Sequence, residues 1–279
     1  MSANLGAREV IGMVASGMKY GIMTVHFYWV GAIFAMVFLG VFMMPFYYGS
    51  RARTVPEYLA MRFDEKTRLQ RRVVAVMTVF SSGISLYALA RLLEVIVGWN
   101  FDALHLGRRR HRHGVHLHGR PPGAVYNEVL QFFLIVLGLS PLVIVSIQDV
   151  GGWSGIVANL KPEWTHAWRY MDQADHNPMG LQYGPLLLGL GFAMSFGYWC
   201  TDFLVVQRAM IARNLRDAQR TPILAALPKM LMPVIVVLPG LIAAVLVLPA
   251  FQTKGFVMPL DEQGGRTAMA LPALIAHYY

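Results

Sequence analysis

Five stretches of this chain, residues 27–48, 73–90, 129–148, 183–201 and 230–253, each run for 18 to 24 residues without a charged side chain. A helix of about 20 apolar residues spans the hydrocarbon core of a bilayer, where the backbone finds no hydrogen-bond partner outside itself. The stretches are continuously apolar rather than alternating, so they predict buried or lipid-embedded helices and not half-exposed strands. The second extends to about residue 97. A shorter Gly-rich run, residues 10–18, reads as half a span. Its glycines Gly6, Gly12, Gly17 and Gly21 leave two readings open: close packing through small residues, or a discontinuous helix.

Composition agrees with a membrane class. Of the 279 residues 56% are hydrophobic and 14% charged, where a soluble domain carries about a quarter charged. That excludes a disordered chain and argues against an ordinary cytosolic enzyme. The single cysteine, Cys200, excludes a disulfide framework and a CxxC metal site. Residues 1–25 do not read as a cleavable signal, since Arg8, Glu9 and Lys19 interrupt them.

Loop charges orient the spans. Residues 49–72 hold Arg51, Arg53, Arg62, Lys66, Arg68, Arg71 and Arg72, and residues 207–221 hold Arg208, Arg213, Arg216 and Arg220. Both loops are expected on the cytoplasmic side. The acid-rich loop 148–182 (Asp149, Glu163, Asp172, Asp175) and the nearly neutral 251–270 fit the outside. Trp153, Trp164, Trp168 and Tyr170 suggest an interfacial amphipathic piece in the first of these.

This topology requires one more crossing between about residues 98 and 126. The sequence there, Arg108-Arg109-Arg110-His111-Arg112-His113 through His116, His118 and Arg120, cannot enter hydrocarbon. A polybasic lipid-binding loop and a His-rich metal site are the literal readings. A compensated reading-frame shift is the preferred one. Moved by one base, His and Arg codons become codons for small and apolar residues, and residues 112–121 then permit a membrane helix ending in a glycine turn. Residues 101–123 carry five arginines and one aspartate, so they supply four of the nine net positive charges. Nucleic acid is therefore not expected as a partner.

Ionisable groups at membrane depth are expensive and are the first candidates for function. Lys229 lies between Pro228 and Pro233. It either snorkels to the interface or faces an internal cavity beside loosened helices. Asp202 reads as an interfacial charge near Arg208, Arg91 and Glu94 as an i, i+3 pair, and Glu128 with Gln131 as the opening of a span. Glu9 either meets a solute or pairs with Arg8. Tyr28, Trp29, Phe196, Tyr198 and Trp199 flank these groups; Trp199 with a buried lysine would cradle a polar organic solute. No nucleophile–base pair or metal-ligand set stands in the spans, so an enzyme is not expected.

The run Phe196-Gly197-Tyr198-Trp199-Cys200-Thr201-Asp202, continuing through Gln207-Arg208 to Lys229 and Leu238-Pro239-Gly240, resembles the sodium/solute symporter family, especially its sodium/glucose cotransporter branch. Ser2-Ala3-Asn4 with Ile11-Gly12, Pro56-Glu57-Tyr58-Leu59 with Arg62-Phe63, and Tyr126-Asn127-Glu128 with Gln131 match in family order. Residues 103–123 depart from it, where the family has a hydrophobic helix.

The resemblance implies an all-α polytopic membrane protein with a partial inverted-repeat (LeuT-type) symporter fold. It implies alternating access around a midplane site, with sodium as coupling ion and no cofactor. It assigns solute contacts to Asn4, Glu9, Tyr28, Ser195, Tyr198, Trp199 and Lys229, with Tyr198 at the inner gate. Backbone carbonyls of Ser2 and Leu5 become sodium ligands, and Glu128 lies on the ion path. Tyr28 stands where sugar transporters commonly carry Glu, and Glu9 where they carry Gln or His. These departures widen the candidate solutes from sugars to polyols, carboxylates and amino compounds.

The expectation is one transmembrane domain over residues 1–279 with about six recognisable spans, in the plasma (inner) membrane. Against the family pattern the chain reads as truncated at both ends, and an inactive fragment as written. A transporter-like sensor module of a signalling protein is the alternative reading.

Overall fold

The computed structural model describes residues 6–52, 55–63, a few positions between 76 and 90, 121–259 and 267–279. Among these residues every regular element is helical. In chain order they are α1 (Ala7–Tyr20), α2 (residues 26–49), α3 (Val55–Arg62), α4 (Pro121–Asp149), α5 (Gly152–Asn159), α6 (Pro185–Trp199), α7 (Phe203–Met210), α8 (Leu215–Val236), α9 (Leu238–Leu246) and α10 (Ala270–Tyr278). Among the described residues three helical runs are long and apolar enough to cross a membrane: Arg8–Gly49, Glu128–Asp149 and Leu215–Leu246. Shorter apolar helices cover Pro185–Trp199 and Thr267–Tyr278.

The glycines before residue 22 divide their roles. α1 runs unbroken past Gly12 and Gly17, with Glu9 in its first turn and Lys19 in its last, as the helix dipole favours. It stops at Gly21, whose φ of 69° is a left-handed conformation open mainly to glycine. A 3₁₀ turn, Gly21–Val25, leads into α2. The sequence stretches 10–18 and 27–48 thus form one interrupted helical run.

The uncharged stretch 230–253 lies largely in one helical run, Leu215–Leu246, in which α8 begins well ahead of the stretch and ends at Val236, with α9 following from Leu238. Hydropathy misses the first turns of α8 because they hold Arg216, Asp217 and Arg220. Asn214 starts the helix there: its Oδ1 accepts the Asp217 N–H at 2.9 Å and its Nδ2 donates to Asp217 Oδ2 at 2.9 Å. Asp202 is likewise a cap, its Oδ1 accepting the Val205 N–H at 3.3 Å as α7 begins. The extra crossing sought between about 98 and 126 falls mostly outside the described residues, as do Arg91, Glu94 and most of 73–97. Of the anomalous segment 103–123 only Pro121–Gly123 are described, as the opening turn of α4.

The chain divides into two compact units. The first comprises residues 1–24, 82–170 and 234–279. Its core pairs α1 with α9: a Cβ on Gly240 would strike backbone atoms of Val14, Gly17 and Met18, and one on Gly17 would lie 2.5 Å from the Val237 carbonyl oxygen. Two facing glycines therefore set how closely these helices cross. Val14, Leu241, Ile242, Val245 and Leu274 are buried around the crossing. Asp149 closes one end of this unit, with Lys254 Nζ 3.3 Å from Oδ1 and the Tyr278 hydroxyl donating to Oδ2 at 2.8 Å. The Trp-rich loop forms α5 and the short helical turn Pro162–Thr165.

The second unit comprises residues 25–81 and 171–233. Here α2 packs on α6 and α8. A Cβ on Gly40 would sit 2.6 Å from the Gln219 carbonyl oxygen, so α8 lies almost on the α2 backbone. Leu39, Met44, Tyr47, Cys200, Val206, Ala209 and Ala218 form one buried cluster. The Tyr47 hydroxyl donates to the Cys200 carbonyl at 2.8 Å, tying the end of α2 to the end of α6.

Candidate functional site

Three prolines, Pro222, Pro228 and Pro233, lie inside α8. A proline in a helix interior withholds one N–H and presses on the carbonyl four residues back. For Pro233 that carbonyl belongs to Lys229. The turn that carries the buried Lys229 is therefore loosened by its own sequence.

Lys229 does not reach outward. It is 2% exposed, which removes the snorkelling alternative. Its Nζ lies 4.4 Å from the centre of the Tyr28 ring and 5.4 Å from that of Trp199. Tyr28 comes from α2 at 1% exposure and Trp199 from the end of α6 at 6%. Burying an ammonium costs several kcal/mol, and each ring face returns roughly 0.5–2 kcal/mol. The rings thus offset part of that cost without neutralising the charge.

Two indoles lock the helices around this lysine. Trp199 Nε1 donates to the Gly31 carbonyl at 3.2 Å. Gly31 lies in the π turn Trp29–Ile33, where the widened helix disturbs the regular i→i−4 ladder and exposes backbone acceptors. Trp29 Nε1 donates to the Met230 carbonyl at 3.2 Å. So α6 is bound to α2 and α2 to α8, on either side of Lys229. Ala32, Ala35, Met36, Trp199 and Ala226 form the small-residue core that permits this approach.

Ser195 precedes Trp199 by one helical turn and so shares its face. It is 1% exposed, and its Oγ has no hydrogen-bond partner. A buried hydroxyl left so costs about 1–3 kcal/mol and calls for an explanation. Tyr198, by contrast, is 41% exposed and edge-on to Trp199 at 5.4 Å between centroids.

Of the residues singled out in the sequence, the structure brings Tyr28, Trp199 and Lys229 together, with Ser195 and Tyr198 on the same short helix as Trp199. Glu9, half-buried in the first turn of α1, and Glu128, half-buried in α4, belong to the first unit. Ser2, Asn4 and Leu5 lie outside the described residues. Among the described residues no group of three or more His, Cys, Asp or Glu could hold a metal ion. Sequence reasoning passed over the role of Trp29. No local signal points to it: Pro233 frees the Lys229 carbonyl, whereas the Trp29 indole bonds that of Met230.

Comparison with known proteins places this arrangement in context. The model of the sodium:solute symporter family matches residues 1–276, nearly the entire chain. The chain belongs to the sodium:solute symporter family. Relatives in this family include a sodium/glucose cotransporter of Vibrio parahaemolyticus, 27% identical over 260 residues, which cover 88% of this chain and 46% of the relative. Sodium/glucose cotransporter 2 of Rattus norvegicus is 26% identical over 88% of the chain and 40% of its own length. The sodium/myo-inositol cotransporter of Homo sapiens is 24% identical over 98% of the chain and 42% of its own length. The chain thus spans less than half the length of these curated relatives. Family membership and the long apolar helices make it an integral, multi-pass membrane protein.

Proposed function

We propose that the protein to which this chain belongs carries out sodium-coupled symport of a small polyhydroxylated solute, a sugar or a polyol, across the plasma membrane. The observation that carries this reading is the buried Lys229 held between the rings of Tyr28 and Trp199 in a member of a symporter family. An ammonium offers three hydrogen-bond donors to hydroxyl oxygens. Flat aromatic faces suit the apolar faces of a sugar or cyclitol ring. Ser195 Oγ, buried and unpartnered, adds a donor and acceptor on the same helix as Trp199. The names of the relatives, for glucose and for myo-inositol, support the same solute class.

In this reading Tyr198, the exposed neighbour of Trp199, acts at the inner gate. The family resemblance adds Asn4 and Glu9 as further solute contacts, the Ser2 and Leu5 carbonyls as sodium ligands, and Glu128 on the ion path. The full protein takes the inverted-repeat architecture and works by alternating access. Sodium is cargo and driving force here, not a resident cofactor.

The test is uptake of radiolabelled glucose, myo-inositol and mannitol by proteoliposomes holding the full-length protein. An inward sodium gradient should concentrate at least one of them, and replacing sodium by potassium should collapse that accumulation. Accumulation that persists without sodium would sink the coupling. Failure of all three solutes would move the substrate outside the sugar and polyol class.

A further inference from the structure

Consecutive residues of α2 act on consecutive residues of α8. The Tyr28 ring lies against the Lys229 ammonium at 4.4 Å, and the Trp29 indole donates to the Met230 carbonyl at 3.2 Å. Neighbours on a regular helix point about 100° apart. Here the π turn Trp29–Ile33 begins at the second of them, and both meet the same turn of α8. In that turn Pro233 deprives the adjacent carbonyl, that of Lys229, of its intrahelical donor.

We infer that Trp29 is a positioning residue for Lys229: its indole N–H holds the Met230 carbonyl, next in the chain to the Lys229 carbonyl that Pro233 leaves without an intrahelical donor, and so fixes where the ammonium stands. Trp29 is itself only half-buried. Its contribution lies in one hydrogen bond spanning 201 residues of sequence. Trp199 makes the companion bond to Gly31 on α2, and Trp29 adds the hydrogen bond that ties the same turn of α2 to α8. The inference rests on reading Lys229 as the solute-facing cation, and its test has an arm that needs no solute.

That arm is acetylation by N-hydroxysuccinimidyl acetate, read lysine by lysine by peptide mass spectrometry on the full-length protein in nanodiscs. Lys229, buried in the native protein, should label slowly. Trp29→Phe deletes the donor and keeps an aromatic ring. It should raise the Lys229 rate about five-fold, the factor equivalent to one net hydrogen bond of about 1 kcal/mol. Lys161 and Lys254 should not change. Replacing Trp29 by 3-benzothienylalanine, which keeps the shape of the bicycle and lacks the N–H, should do the same, and it covers the case in which the phenylalanine variant fails to fold. An unchanged Lys229 rate, or a rise shared by all three lysines, overturns the inference.

The second arm is uptake of glucose and myo-inositol. Trp29→Phe should raise KM about five-fold with Vmax per inserted protein unaltered, and should add nothing in a Lys229→Met background. If Lys229→Met itself leaves uptake intact, the solute-site reading falls, while labelling still decides whether Trp29 positions Lys229. If Lys229→Met abolishes uptake and Trp29→Phe changes neither KM nor labelling, the site stands and the positioning role is wrong.

Discussion

Lys229 shows how a single side chain can be legible as important yet illegible as to its setting. A cation between two prolines in an otherwise apolar stretch is expensive wherever it goes, and that expense is visible in the sequence. Whether it snorkels or turns inward depends on what surrounds α8, which no local pattern states. Its 2% exposure and the two ring faces decide for the interior. Lys229→Met keeps the stem and removes the ammonium. If the charge meets solute hydroxyls, this change should weaken solute affinity roughly 10- to 100-fold, the equivalent of the ~1.5–3 kcal/mol that a hydrogen bond to a charged group contributes. Uptake kinetics normalised to protein in the membrane read this directly. Unaltered KM and Vmax would make Lys229 a structural cation only. Asp202, read from the sequence as an interfacial charge near Arg208, also caps a helix, a role that its charge alone does not state.

At the level of helices, the sequence marked apolar cores well and helix ends poorly. Helix starts are set by capping groups such as Asn214, which act through one or two hydrogen bonds and leave no trace in a hydropathy window. Glycines are the other case. Gly12 and Gly17 look alike in sequence, five residues apart in one helix. Only packing separates them, because space beside Gly12 is open while Gly17 and Gly240 hold α1 and α9 in backbone contact. Gly12→Ala should therefore stabilise the protein by about 0.5–1 kcal/mol, the helix-propensity difference. Gly240→Ala should destabilise it by roughly 1–3 kcal/mol, as overpacking against unyielding backbone does. Thermal unfolding in detergent should show transitions moving in opposite directions. A Gly240→Ala protein as stable as the parent would mean that α1 and α9 can separate at little cost.

At the scale of the whole molecule, loop charges impose a parity constraint that holds whatever the helix packing. With the basic loops 49–72 and 207–221 expected inside and the acidic loop 148–182 outside, a crossing is expected where the Arg- and His-rich run stands. The family match nevertheless runs through this region, over residues 1–276. Resequencing codons 100–125 should find a base gained at one edge and lost at the other, restoring an apolar helix. Codons that do specify Arg108 through Arg120 would leave a basic loop and a topology needing a different solution.

The sequence alone determined the class of this protein, most of its apolar helices and its family. Those properties follow from burial in hydrocarbon and from contiguous motifs, both of which are local along the chain. Tertiary structure alone decided what stands around Lys229. Tyr28 and Trp29 arrive from about 200 residues away, and the Trp199–Gly31 bond that braces them spans 168. Hydropathy says only that such side chains are inside. Which ring faces the ammonium, and which carbonyl takes each indole N–H, is settled by how three helices cross, through glycine contacts, a π turn and a proline that no single stretch of sequence brings together.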